Sequence, residues 1–189
     1  YKTIVDLWEE KVNAAEVSAE NNTERMYWGK VLKDTIAKEF EKRSNKKTRK
    51  SNAIFRSEEI PFMTTSVNRL IIGEDSFLKC INTNEFQLKE WEKGKIPSKY
   101  MLQVQHAMFV LDYEYCYVAV LIGNRTFLYN KIDRNEETIS YIVKLETKFW
   151  KESVLTKTIP DANSIEEKNR ILDEESILKT GTGEVKQLG

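Results

Sequence analysis

Apolar positions recur along this chain in two rhythms, and the change of rhythm divides it into helices and strands. Ile4, Leu7, Trp8 and Val12 stand near helical spacing, which predicts a helix over 3–12. Residues 14–22 are polar and loop-like. Thr23 is placed to cap a long helix to about Arg43, with Trp28, Leu32, Ile36 and Phe40 recurring every four residues. The stretches 53–56, 62–65, 67–73 and 76–81 then read as short strands, with Gly73-Glu74-Asp75 as turn material.

The second half repeats the alternation. WEKGKIPSKY (91–100) is a loop in which Pro97 and Ser98 start a helix; Tyr100, Val104, Ala107, Met108 and Leu111 form its buried face. YCYVAVLIG (115–123) is nearly all apolar, as a strand covered on both faces would be. RTFLYNKI (125–132) returns beside it after the Gly123-Asn124 turn. A strong helix begins at Arg134 or Asn135 and carries Ile139, Ile142, Val143, Leu145, Phe149 and Trp150. Beyond Pro160 the pattern weakens: 163–179 reads as one more helix, and KTGTGEVKQLG as a loose tail. This order predicts a mixed α/β domain around one central sheet.

Composition changes this picture in few places. The 30 basic and 30 acidic residues cancel, so a nucleic-acid partner would require a local basic patch. RSNKKTRKSN (43–52) is one such place, open to two readings: a solvated hairpin or a phosphate-contacting edge. Cys80 and Cys116 fall in apolar, β-like runs and read as buried thiols in a reducing compartment. No membrane span or signal peptide is legible, so a soluble, cytoplasmic protein is expected. The start at Tyr1 rather than Met reads as that of a fragment.

Three stretches together carry a resemblance: YWGKVLKDTIAKEFEKR (27–43), PFMTTSVNRLIIGEDSFLKCINTNEF (61–86) and residues 96–150, with Leu-Gln-Val-Gln-His at 102–106 the most specific part. They look like the YqaJ family of phage recombinase nucleases, relatives of lambda exonuclease within the PD-(D/E)xK superfamily. The similarity covers 1–155, leaving 156–189 as a C-terminal helical extension and tail. It implies a restriction-endonuclease-like α/β core: a central mixed β-sheet flanked by helices. It also implies that family members carry a segment ahead of the position of Tyr1.

Such nucleases degrade linear double-stranded DNA from its end and hand the remaining strand to a single-strand annealing protein. Their site uses a helix glutamate, a strand aspartate, and an acidic residue two positions before a lysine. Mg²⁺ takes hard oxygen ligands, polarises the phosphate and generates hydroxide. The Glu-x-Lys spacing works because side chains two apart on a strand share a face. In this chain the family positions fall on Lys33, Asn68, Lys79 and Ile81. Three carboxylates and a lysine sum to −2; two lysines, an amide and an isoleucine sum to +2. The resemblance therefore predicts no intact catalytic set, no metal ligands and no Mg²⁺ cofactor here.

Glu74, Asp75, Glu90, Glu92 and Glu146 read as surface charges, with Glu74 and Asp75 solvated in their turn. Candidates for contact with DNA are Lys33, Lys79, Gln103, Gln105, His106, Lys93 and Lys95. Drift of the two site lysines, or a packed His106, is the alternative. Trp91 and Tyr100 form either a nucleic-acid lip among loop lysines or two buried rings. Three functions follow: a pseudo-nuclease of a phage or prophage that holds double-stranded DNA or its ends, or sits in a recombination complex, without cutting; a scaffold that binds a host defence protein; or a working exonuclease with an unusual or engineered site. A homo-oligomeric ring around DNA is a further implication of the resemblance.

Overall fold

The structure, a computed structural model, describes residues 3–13 and 24–160. Thr23, the predicted helix over 163–179 and the tail lie outside the described residues. In chain order the elements are α1 (Ile4–Val12), α2 (Glu24–Ser44), β1 (Thr48–Lys50), β2 (Phe55–Arg56), β3 (Thr64–Thr65), β4 (Arg69–Ile71) and β5 (Phe77–Thr83). A 3₁₀ helix (Glu85–Gly94), α3 (Ser98–Leu111), β6 (Tyr115–Ile122), β7 (Thr126–Asp133), α4 (Glu136–Phe149) and a π-helical turn (Trp150–Val154) follow. The chain forms two units, divided after residues 21 and 136.

In the larger unit, five strands form one mixed sheet in the order β1-β4-β5-β6-β7. Only β5 and β6 are parallel, registered Leu78↔Tyr117 through Thr83↔Ile122. A parallel pair needs a crossover, and the 3₁₀ helix with α3 supplies it. The predicted loop over 91–100 is thus partly 3₁₀ helix. β6 and β7 join through Gly123 and Asn124, both with positive φ, as a type I′ turn requires. The basic segment, open to reading as a solvated hairpin or a phosphate-contacting edge, is not a local hairpin: it makes a distant pair, Thr48↔Ile71 through Lys50↔Arg69, at the sheet edge. β2 and β3 form a separate two-stranded sheet.

Register sorts the strand residues by face. Leu78, Cys80, Tyr117 and Ala119 share one face and pack with Ile36, Ala37 and Phe40 of α2 and with Ile71. Alternation places Phe77, Lys79, Ile81, Cys116, Val118 and Val120 on the other. Both faces are buried, which accounts for the unbroken apolar run of β6. Burial pushes the Cys80 thiol up to about 12, and Cys116 is pushed up by the same cause. Both thiols are free and buried.

The smaller unit holds α1, α4 and the π-helical turn. A capping box at Thr3 and Asp6 starts α1. The Trp8 indole N–H donates to the Ser153 carbonyl at 3.0 Å, tying α1 to the turn.

Candidate functional site

β4 and β5 pair only over Arg69↔Leu78 and Leu70↔Phe77. Beyond that point the ladder ends, and a side chain replaces it: Asn68 Oδ1 accepts from the Cys80 backbone N–H at 2.9 Å. The Asn68 carbonyl in turn accepts from Ser51 N–H at 3.3 Å. Asn68 thus fastens β4 to β5 where the backbones part. Lys79, next along β5, is half-buried on the face opposite Leu78 and Cys80.

α2 runs antiparallel to β5. Lys46, just past its C-terminal end, bonds Glu74 in the turn before β5, whereas Ile36 and Ala37 lie in the cluster with Cys80 and Ala119. The N-terminal turns of α2 therefore extend towards the carboxyl end of β5. Lys33 is exposed there, on the helix face shared with Ile36, Ala37 and Phe40. One turn earlier on that face stands Gly29, where an added Cβ would meet nothing within 4 Å. Because Gly29 occupies a helix interior with free space around it, Gly29→Ala is expected to raise stability by about 0.5–1 kcal/mol, read as a shift of the urea midpoint.

Lys33 and Lys79 are close enough to repel. Burial, then the Lys33 charge, lower the Lys79 pKa from its usual 10.5. No hydrogen bond or ion pair joins the Lys79 ammonium to any described residue. The nearby carboxylate, Asp34, is already engaged by Arg69 at 2.9 Å and Lys50 at 3.7 Å. Lys33, Lys50, Arg69 and Lys79 thus outnumber the carboxylates near them: Asp34, and Glu41 on the Arg69 side. Asp34 and Arg69 are not legible as site residues in the sequence, whereas Lys50 belongs to the basic segment 43–52. The signal for the first two is adjacency: Asp34 follows Lys33, and Arg69 follows Asn68.

The remaining candidates separate. Ile81 is 5% exposed and belongs to the core. Gln103 is exposed and His106 half-buried on α3, and Lys95 is exposed. The side chain of Lys93 lies outside what the structure describes. Gln105 needs correction: it is 1% exposed, with its amide N–H donating to the Asp133 carbonyl at 2.9 Å and its oxygen accepting from Asn135 N–H at 2.9 Å. Both ends are used to fix the end of β7, so Gln105 offers nothing to DNA. Gln105→Ala is expected to cost about 2–3 kcal/mol, since two buried backbone groups lose partners, with DNA affinity unchanged. Urea unfolding and a binding titration check the two halves.

Trp91 also resolves as a buried ring, 2% exposed, packed on Tyr100 at 5.4 Å between centroids. Glu74 is not solvated: it is half-buried, accepting from Lys46 and from the Tyr115 hydroxyl at 3.0 Å. Burial raises its pKa, but these two bonds outweigh it and hold the carboxyl below its usual range. A separate cleft of about 580 Å³, lined in part by Phe55, Phe109, Leu111 and Tyr113, opens at the end of α3.

Comparison with solved structures places the architecture first. An alkaline exonuclease from Laribacter hongkongensis superposes with a TM-score of 0.66 at 12% identity, over 89% of this chain and 84% of that one. A phage-related exonuclease from Haemophilus somnus 129PT gives 0.57 at 12% identity, over 82% of each chain. The fold is that of these exonucleases. Residues 1–114 match the YqaJ-like viral recombinase domain, and the chain belongs to that family. The YqaJ protein of Bacillus subtilis (strain 168), itself uncharacterised, is 44% identical over 162 residues, 85% of this chain. The chain spans half the length of that relative.

Mg²⁺, the metal of such nucleases, does not fit the four positions. They present two ammonium groups, a hydrocarbon, and an amide whose oxygen already accepts from Cys80 N–H. Among the described residues no three His, Cys, Asp or Glu side chains converge. Among the described residues no helix is long and apolar enough to cross a membrane.

Proposed function

We propose that this chain is a DNA-binding member of the YqaJ family that holds duplex DNA or its ends without metal-dependent cleavage. The observation that carries it is the pair Lys33 and Lys79 standing at positions where the family resemblance places carboxylates. At about 4 Å and an effective dielectric of about 20, each like-charge contact with a cation would cost on the order of 4 kcal/mol. The same charges, with Arg69 and Lys50 beside them, suit a phosphate backbone.

A second function has its own observation. Tyr27 (58% exposed), Trp28 (50%) and Val31 leave an apolar row bare on α2, which favours a protein partner, such as an annealing protein or a host defence protein.

Fluorescence anisotropy of an end-labelled linear duplex, followed before and after Mg²⁺ is added, separates these. A stable rise that Mg²⁺ leaves unchanged is expected. Decay as label is released would instead identify a working exonuclease. No rise at modest salt would transfer the function to the apolar row.

A further inference from the structure

We infer that Lys79 is the buried anchor of a direct phosphodiester clamp, in which its ammonium and that of Lys33 take a phosphate oxygen without any bridging metal. The inference rests on the DNA-binding function proposed above and assigns the chemistry of its site. A half-buried cation is normally paired, because desolvation is costly and an acidic neighbour offsets it. Lys79 has no such neighbour among the described residues, and the charge that acts on it most is that of a second lysine.

The surroundings do not relieve the cost from within. Asp34 is held by Arg69 and Lys50, and the Asn68 side-chain oxygen by Cys80 N–H. The neighbouring thiols are free and buried. Among the described residues nothing supplies the missing negative charge, and a bound anion would. The Lys79 ammonium, with the Lys33 charge near enough to act on it, offers charge-assisted hydrogen bonds to a singly charged diester, and open space lies beside Gly29, one turn from Lys33 on α2. Such a clamp does with fixed cations what a nuclease does with a metal, except that it generates no hydroxide.

The test measures duplex affinity in EDTA across a salt series for the native chain, Lys79→Met, Lys33→Met and Lys144→Met. The last removes an exposed charge on α4 and controls for net charge. Thermal unfolding is followed in parallel with dimethyl phosphate, a minimal diester, and with inorganic phosphate, at ionic strength matched with sodium chloride. Expected are a loss of about 10-fold or more for Lys79→Met, with a salt slope smaller by about one, and less than about 2-fold for Lys144→Met. Both phosphates are expected to stabilise the native chain and not Lys79→Met, and Mg²⁺ is expected not to tighten binding.

If the native chain binds duplex and Lys79→Met binds it equally well, the clamp is overturned while the DNA-binding function stands. If the native chain binds no duplex, that function fails and the small anions decide: Lys79-dependent stabilisation keeps the clamp as an anion site, and no stabilisation overturns both.

Discussion

Lys33→Glu, Asn68→Asp, Lys79→Glu and Ile81→Lys, introduced together, are expected to create Mg²⁺-dependent release of label from a linear duplex. The rise over the native chain should be on the order of 10³-fold or more, a small part of what enzyme sites supply. The four changes turn the site charge from +2 to −2, and the existing geometry accepts them unequally. Aspartate at position 68 keeps the Cys80 N–H as a donor, now to a charged acceptor. Glutamate at position 79 replaces a repulsion with Lys33 by carboxylates gathered for a cation. Lysine at position 81 is the hard step, because Ile81 is 5% exposed. Alone it would leave an uncompensated buried charge costing on the order of 3–5 kcal/mol; the carboxylate brought in by Lys79→Glu, two residues away on the same strand face, gives it a partner. The readout is end-label release with and without Mg²⁺. A quadruple variant that folds and binds Mg²⁺ yet does not cut would show that the four positions are not the site.

Lys79→Met is expected to unfold later than the native chain, by about 1–3 kcal/mol. The gain is the desolvation cost of a half-buried ammonium, removed by a side chain of similar length. Its pH dependence has a definite sign. Burial and Lys33 lower the folded-state pKa of Lys79 below the usual 10.5, so between those two values the unfolded chain binds more protons. The native chain therefore gains stability as pH rises through that window, and the advantage of Lys79→Met is full below it and shrinks towards 10.5. Comparing the two chains cancels the tyrosines and thiols that titrate nearby. Urea midpoints at several alkaline pH values measure it. A Lys79→Met chain that is less stable, or an advantage that does not narrow, would mean that Lys79 already has a compensating partner.

Much of the fold was legible because it depends on local rhythm. The four-residue spacing in α2, the covered run of β6 and the Gly123-Asn124 turn each need only their own neighbourhood. What was not legible depends on distance. The segment around β1 reads equally as a solvated hairpin or an exposed edge, and its partner proves to be β4, chosen by the sheet. Glu85–Gly94 carries no capping or periodic signal of the kind that announces an α-helix. Gln105 looked like a polar face of α3 and is a core residue, because the end of β7 offers it a carbonyl and an N–H. At the candidate site the resemblance drew attention to Lys33, Asn68, Lys79 and Ile81. It did not reveal that Asp34 is engaged by two cations from other elements.

The parallel pairing of β5 with β6 has a consequence for how the chain reaches this state. β4–β5 and β6–β7 are hairpins that form on the microsecond scale, but β5 meets β6 only after the intervening 3₁₀ helix and α3 have closed a long loop. Until then one edge of β5 stands open, with Phe77, Leu78, Cys80 and Ile81 as a ready template for a second copy. Lys79 lies in the middle of that run, a charge that keeps like edges apart for as long as the edge is bare. The residue that burdens the finished fold thereby protects the unfinished one.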